Sequence, residues 1–412
     1  MTGWESVRLS ALLREIDDRG HPDSEVLSVY RDLGVVPKAS REDNFNKTPD
    51  NLSSYKRVRV GDLVVNKMKA WSGSLAVSDY DGIVSGDYMV CAVVGAVDRR
   101  FLHHLLRSKP VFSQIAALST GIRPSQWRLY WDDLRQVRLR VPELRMQHAI
   151  ADYLDAESAR LDAIVHSRRE QIRLLAARQD ALIWHAVTKG IRPAVLRAAG
   201  VGWVGEVPGH WGTPSIGAHF DVQLGKMLNP DARTSGEVSR YLRNLNIQWD
   251  RFDLDDLDAM HFDASDRQRY ALRPGDLMVC EGGVVGRCAI WRGELDGVYY
   301  QKALHRVRPR KDGLVRFLMY CLWAAAFRGT FEIEGNTSTI VHLTAEKLRA
   351  HRVPWPPVVE QSEIVDFLDR KRSSMDELRR PYERQIDLLL ERRQALIAAA
   401  VTGELQIPGV AA

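Results

Sequence analysis

Cysteine is scarce in this 412-residue chain. The four residues Cys91, Cys280, Cys288 and Cys321 form no C-x-x-C pair, and no histidine cluster stands at zinc-ligand spacing. That excludes a disulfide scaffold and the common structural zinc sites. It points to buried, reduced thiols in a cytoplasmic protein. Long hydrophobic runs are also lacking. The longest, Leu318 to Phe327, is closed by Arg316 and Arg328 and is too short to cross a bilayer, so it reads as a buried helix. Residues 1–20 are broken by Glu5, Arg8, Arg14, Glu15, Asp17 and Asp18, which is not the pattern of a secretory signal. The charge excess is small, with 58 Lys and Arg against 53 Asp and Glu, and the pI is near 9.0. Nucleic-acid binding is permitted by that balance but not required.

Enzymatic signatures are missing too. No G-x-x-x-x-G-K-[ST] loop is present. The only Asn-Pro, Asn229-Pro230, leads into Asp231 and not into the Pro-aromatic ending of an amino-methyltransferase motif. Gly282-Gly283-Val-Val-Gly286 lies between two short strand-like runs, and a tight hairpin explains it better than a cofactor loop. His103-His104 and Trp184-His185 have no acidic partner nearby in sequence and read as surface or half-buried residues. Glu346-Lys347 reads as an exposed pair on a short helix from Thr344 to Ala350. No catalytic or metal site is expected.

What the chain does have is a repeat. Arg59-Val-Gly-Asp-Leu63 returns as Arg273-Pro-Gly-Asp-Leu277, at an offset of 214 residues (275 less 61). The same offset carries Leu134 to Leu348, Pro142 to Pro356, Gln147 to Gln361, Ile150 to Ile364 and Leu154-Asp155 to Leu368-Asp369. It ends by carrying Ile172 to Ile386 and Ala186-Val-Thr188 to Ala400-Val-Thr402. Between these anchors the two copies look unrelated. Each copy should therefore hold the same scaffold with different variable parts.

In each copy short apolar runs with Gly and Asp punctuation predict strands (Asp62–Asn66, Asp276–Cys280). A helix follows near Phe101–Leu106 and Phe317–Phe327, then a polar loop and a short strand ending at a proline. Last comes a long helix, about Gln147 to Thr188 and about Gln361 to Thr402. Leu154, Leu161, Leu175 and Leu182 lie on a seven-residue line in the first, with Arg168 at the skipped position. Leu368, Met375, Tyr382, Leu389 and Leu396 do so in the second, and Val165, Ile172 and Ile386 add a second apolar line. A stripe this narrow wants a partner helix, and the economical partner is the other copy's. At 1.5 Å per residue roughly 40 residues span about 60 Å, a length suited to a spacer. Pro381 should kink or divide the second helix.

The expected fold is α+β: two pseudo-repeated target recognition domains of mixed strands and helices, joined by two long helices in an antiparallel coiled coil. The expected boundaries are 1–146 and 203–360 for the domains, 147–189 and 361–403 for the helices, 190–202 for a linker and 404–412 for a tail.

Positive and hydrogen-bonding residues gather in matching places. In the first copy Asn66-Lys-Met-Lys-Ala-Trp71 supplies Lys67, Lys69 and Trp71. The stretch Thr120 to Tyr130 supplies Arg123, Ser125, Gln126 and Arg128, with Arg135, Arg138, Arg140 and Arg145 beyond it. In the second copy Arg240 to Trp249 offers Arg243, Asn244, Asn246 and Gln248 in strand-like alternation. Asn336, Thr337, Ser338, Thr339 and His342 occupy the loop equivalent to 120–130. Such side chains suit phosphates and base edges, and as a set they point to DNA.

Val141-Pro142-Glu-Leu-Arg-Met-Gln147 running into Ile150-Ala-Asp-Tyr-Leu-Asp155 resembles the specificity subunit of Type I restriction–modification systems. So does Pro356-Pro-Val-Val-Glu-Gln361 running into Ile364-Val-Asp-Phe-Leu-Asp369, with Arg178-Gln-Asp-Ala-Leu182, Arg392-Arg-Gln-Ala-Leu396 and the Ala-Val-Thr endings. The first copy departs by having Glu-Leu-Arg-Met where the second has a further proline and Glu-Gln. The resemblance covers nearly the whole chain. It implies a non-catalytic subunit that reads two half-sites of an asymmetric bipartite double-stranded DNA sequence. It implies two modification subunits that hold S-adenosylmethionine and methylate adenine, and two restriction subunits that use ATP and Mg. It implies no cofactor on this chain. Two other readings are compatible with the residues: a solitary subunit that redirects or inhibits a host methyltransferase, and a coiled-coil adaptor that binds protein.

Overall fold

The computed structural model describes residues 4–31, 33–41, 47–121, 127–227, 237–311, 313–333 and 342–408. The chain forms two compact units, one of residues 1–169 with 383–412 and the other of residues 170–382.

In unit one a short helix α1 (Leu9–Leu12) runs directly into β1 (Leu13–Ile16). With β2 (Leu63–Asn66), β3 (Leu75–Val77) and β4 (Tyr88–Val93) it makes an antiparallel sheet in the order β1-β4-β2-β3. Helix α2 (Arg99–Arg107) follows, then the long helix α3 (Leu144–Lys189). Unit two repeats the plan. Helix α4 (Ile216–His219) abuts β5 (Phe220–Leu224), which joins β6 (Leu277–Cys280), β7 (Cys288–Ile290) and β8 (Leu304–Pro309) in the order β5-β8-β6-β7. Helix α5 (Val315–Phe327) and the long helix α6 (Val358–Thr402) complete it. The same strand order thus occurs twice, as the constant offset predicts.

The anchors of the repeat are the residues that fix this plan. Asp62 and Asp276 each accept the N–H of the arginine three residues earlier, both at 2.8 Å, closing the turn into β2 and β6. Gly61 and Gly275 stand at φ 90° and 94°, a left-handed backbone that only glycine adopts without strain. Leu63–Val65 and Leu277–Cys280 are apolar without a break because each sheet is covered on both faces. Leu63 and Val65 enter one core while Val64 enters another with Leu27, Val29 and Val58. Leu277 and Val279 likewise part from Met278 and Cys280.

The paired glutamines do a second job. Buried Gln147 donates to the Pro142 carbonyl at 2.8 Å and accepts the Asp98 N–H at 2.8 Å. Buried Gln361 donates to the Pro356 carbonyl at 2.9 Å and accepts the Leu314 N–H at 3.0 Å. Asp98 and Leu314 are the residues that open α2 and α5. Each glutamine therefore fastens the start of a long helix to the start of the helix behind the sheet.

Within unit one, Ile150 and Leu154 of α3 share a core with Ile397, Ala400 and Val401 of α6, and Arg393 Nη1 meets Asp162 at 3.0 Å. Within unit two, Ile183, Ala186 and Val187 share a core with Ile364, Val365 and Leu368. The first turns of one helix meet the last turns of the other, which is the antiparallel pairing that the heptads predict. The Ala-Val-Thr endings are part of it: small Ala186 and Ala400 are buried, and Thr188 and Thr402 bond back to the carbonyls of Trp184 and Ala398.

Several expectations need correction. Pro381 neither ends nor divides α6, which is one helix of 45 residues with the proline inside it. Pro381 and Glu377, whose carbonyl loses its donor, are both exposed, so water can take the place of the missing bond. The segment Arg240 to Trp249 is not an alternating strand. The strand Glu237–Leu242 stops, and a 3-10 turn, Asn244–Asn246, follows it. Among the described residues of copy two no strand runs up to Pro356; single bridges join Gly212 to Trp355 and Ser215 to Arg352. His104 does have an acidic partner, Asp155 on α3, at 2.8 Å. Sequence proximity could not reveal it. Inside the 190–202 stretch, Leu196–Ala198 pairs with Glu206–Pro208.

The glycine-rich segment connects β6 to β7 as a hairpin, with the Gly286 N–H on the Cys280 carbonyl at 3.0 Å. All four cysteines are buried free thiols. No helix among the described residues is long and apolar enough to cross a membrane.

Candidate nucleic-acid interface

Unit one carries an open cleft of about 790 Å³ on the side of the sheet where β2 leaves it. The β2 exit builds one wall. Asn66 Oδ1 accepts the Met68 N–H at 3.1 Å, and the Lys69 N–H closes a turn on the Asn66 carbonyl at 3.0 Å. A glycine at φ 90°, Gly73, then turns the chain back. Lys69 is exposed and lines the cleft. The hairpin Leu27–Tyr30 with Gly34–Pro37 builds the opposite wall and brings Arg31 and Lys38, while Lys47 adds a fourth cation. Ser28, Ser85 and Tyr88 offer hydroxyls, and Asp87 is the one acidic group among the described lining residues. Four cations around a polar floor form a surface for a polyanion.

Lys67 and Trp71 support this wall from behind. The Lys67 backbone bonds to Asp87 and Leu129, and burial lowers its amine's pKa, with Lys56 and Arg128 adding to the effect and Glu15 opposing it. Trp71 donates to the Met68 carbonyl at 3.0 Å and packs edge-on against Trp127, ring centres 5.7 Å apart. Arg128 pairs with Asp87 at 3.0 Å. Thus Lys69 is on the cleft and Lys67, Trp71 and Arg128 lie beside it, whereas Arg123, Ser125 and Gln126 lie outside the described residues. Arg31, Lys38 and Lys47 were not singled out from the sequence. They are scattered singly there, and only the hairpin gathers them.

Unit two distributes its expected residues differently. Arg243 is held by Asp258 at 2.6 Å and Asp256 at 3.0 Å, so its charge is already answered. Asn246 is fully buried; its amide donates to the carbonyls of Asp253 and Asp256 and its Oδ1 accepts the Arg243 N–H. As a DNA contact Asn246 is therefore a correction: it is the peg of a loop. Asn244 donates to the Gly282 carbonyl, and Gln248 bonds to Leu245 and Arg287. His342 is exposed beside Gly282, while Asn336, Thr337, Ser338 and Thr339 lie outside the described residues.

The same loop is tied to the helices by a feature that sequence reading missed. Asp250, at φ 55° the one non-glycine in the left-handed region among the described residues, has a side chain only 6% exposed that receives Arg292 at 2.8 Å, Arg316 at 3.0 Å and Arg372 at 2.7 Å. Arg316 also pairs with Asp369 at 2.7 Å, and Trp249 stacks on Trp323 with centres 4.7 Å apart. Burial works to raise the Asp250 carboxyl's pKa, but the hydrogen bonds from Arg316 and Arg372 win and leave it below its usual 3.8. Among the described residues no group of His, Cys, Asp and Glu is arranged to hold a metal ion.

Comparison with known proteins adds the family. Residues 249–380 match the Type I restriction modification DNA specificity domain, a span that includes the Asp250 network and the first half of α6. The chain is similar to the specificity subunits of Type I restriction enzymes. It is 24% identical over 324 residues to the Type I restriction enzyme EcoKI specificity subunit of Escherichia coli (strain K12), covering 74% of this chain. It is 22% identical over 326 residues to the StySPI specificity subunit of Salmonella potsdam, covering 75% of this chain. The chain spans 65% and 66% of the length of these two relatives. A solved chain from work on complex assembly and conformational transition of the type I R-M system shares the fold, with a TM-score of 0.67 at 17% identity over 98% of this chain and 99% of that one.

Proposed function

We propose that this chain is the sequence-reading, non-catalytic subunit of a Type I restriction–modification complex. It binds an asymmetric bipartite duplex through two recognition domains, residues 1–146 and 203–360, in the cytoplasm. The long helices, 147–189 and 361–403, act as the spacer between half-sites. Two modification subunits supply S-adenosylmethionine and methylate an adenine turned out of the stack. Two restriction subunits supply ATP-driven translocation and cleavage with Mg. The observation that carries the reading is the doubled sheet order with its doubled glutamine anchor in a chain similar to Type I specificity subunits. A duplicated reader with divergent variable loops suits a target of two unlike halves. In the first domain the unit-one cleft takes the phosphate backbone, with Lys69, Arg31, Lys38 and Lys47 as its counter-charges; Lys67 and Arg128 set its edge.

Purified chain with fluorescent duplexes, and a methylome of cells expressing it with its partner subunits, test this. Binding should weaken steeply with salt, and adenine methylation should map to a two-part motif with an unread spacer. A contiguous motif, or retention on DNA that ignores salt, rejects it.

A further inference from the structure

A second cavity lies wholly in unit two and belongs to neither copy's expected loop. It measures about 670 Å³ and is floored by His351 and Thr330, with Trp203 at one side and Gly200 and Gly202 at its lip. Its charge is one-sided: Arg328, Lys347 and Arg352 line it, and none of its described lining residues is acidic. Arg352 is engaged, donating to the Thr213 carbonyl at 2.7 Å and hydroxyl at 3.0 Å. Arg328 and Lys347 are exposed and meet no carboxylate among the residues whose side chains are described; Arg328 rests over the Trp184 ring at 5.2 Å.

The floor is unusual in a different way. His351 is 7% exposed and Thr330 6% exposed, yet His351 Nε2 and Thr330 Oγ1 have no hydrogen-bond partner among the described residues. Polar atoms are rarely buried without a partner, since each such atom costs roughly 1–3 kcal/mol. Here both belong to residues that line one cavity, which Arg328 and Lys347 also line. His351 is held rigidly, stacked on Trp203 with centres 5.7 Å apart and tilted against Phe331 at 5.0 Å. Burial holds its imidazole down at about 4, so it is neutral at physiological pH and presents a donor or an acceptor without charge.

We infer that this cavity is a phosphate site, in which Arg328 and Lys347 answer the charge and His351 and Thr330 bond to the phosphate oxygens. The phosphate could belong to the DNA backbone or to a free nucleotide, and the first source rests on the function proposed above. The chemistry is shared: a tetrahedral anion with several acceptor oxygens, matched by exposed cations and by polar atoms held in place.

The test uses the full chain and the double variant Arg328→Ala/Lys347→Ala, both positions being exposed and so safe for folding, which circular dichroism checks. Calorimetry with inorganic phosphate and with dAMP, and duplex binding across a salt series, give the readouts. For a free nucleotide, the double variant loses phosphate and dAMP affinity by tenfold or more while the salt slope of duplex binding is unchanged. For a DNA phosphate, the slope of log K against log salt falls by about two, one for each cation removed. Equal phosphate and dAMP binding in the two proteins together with identical slopes overturns the inference, whether that binding is measurable or not. A chain that binds phosphate but no duplex leaves this site standing and sinks the DNA-reading proposal instead.

Discussion

Removing the Gln361 side chain is the most direct probe of how the repeat is built. Gln361 is fully buried and makes two bonds, to the Pro356 carbonyl and from the Leu314 N–H. Gln361→Ala leaves both backbone groups without their partner. Each buried orphan costs about 1–3 kcal/mol. Pro356 is buried and keeps the full cost, whereas Leu314 is half-buried, so water can recover part of its share. A local loss of about 2–4 kcal/mol follows. A two-unit chain need not unfold in one step, so a global melting point is the wrong readout. Native-state hydrogen exchange is the right one, because at 1.4 kcal/mol per factor of ten the first turns of α5 and α6 should exchange roughly 30- to 1000-fold faster. Gln147→Ala should do the same to α2 and α3 in unit one. Gln361→Met separates volume from bonding. It refills the space but restores neither bond, so it should be nearly as damaging as alanine. The reasoning fails if methionine restores protection, or if exchange in unit two changes by less than twofold.

Asp250→Asn should destabilise unit two by about 1–3 kcal/mol, because half-buried Arg372 loses its charge-assisted bond while Arg316 keeps Asp369; urea unfolding read by tryptophan fluorescence checks this, and a loss below about 0.5 kcal/mol contradicts it. The wild-type carboxyl sits below its unfolded value of 3.8, so its stabilisation is full above that pH and fades as pH falls through the lower folded value. Unit two of the wild type should therefore lose stability below about pH 4, and Asp250→Asn should flatten that limb of the profile. Asn246→Ala should weaken folding without altering the slope of DNA binding with salt, while Lys69→Ala should lower that slope by about one and leave folding intact; exchanged outcomes would reverse the assignments of peg and contact. Inserting one heptad into each long helix should lengthen the unread spacer by roughly 3 base pairs, since seven residues add about 10 Å. A methylome with an unchanged spacer removes the helices as its determinant.

The sequence was most legible where one physical requirement forces one residue type. A left-handed turn demanded Gly61 and Gly275, a strand covered on both faces demanded the runs Leu63–Val65 and Leu277–Cys280, and a helix seam demanded leucines every seven residues. Each of these is local, so a constant offset exposes it. The candidate interface was less legible because it is assembled from distance. Arg31, Lys38 and Lys47 become a cluster only when the Leu27–Pro37 hairpin folds over the β2 exit. Arg243 and Asn246 misled for the complementary reason: a polar residue in a variable segment serves equally well to recognise a ligand or to hold the loop, and only their partners, Asp256, Asp258 and the Asp253 carbonyl, decide.

The Asp250 network carries that argument one step further. Its members are spread from 250 to 372, and no spacing joins them. Yet they tie the loop at Asp250 to α5 and to the long helix α6 within unit two. Three arginines on one buried carboxylate make a firm joint, because that carboxylate loses its main charge partners if α5 or α6 moves away. On the function proposed above, a reader of two half-sites needs each recognition domain fixed to its helix, whatever sequence it reads. The variable loops can then diverge freely, while the glutamine anchor and the charged joint keep the framework on which they are displayed.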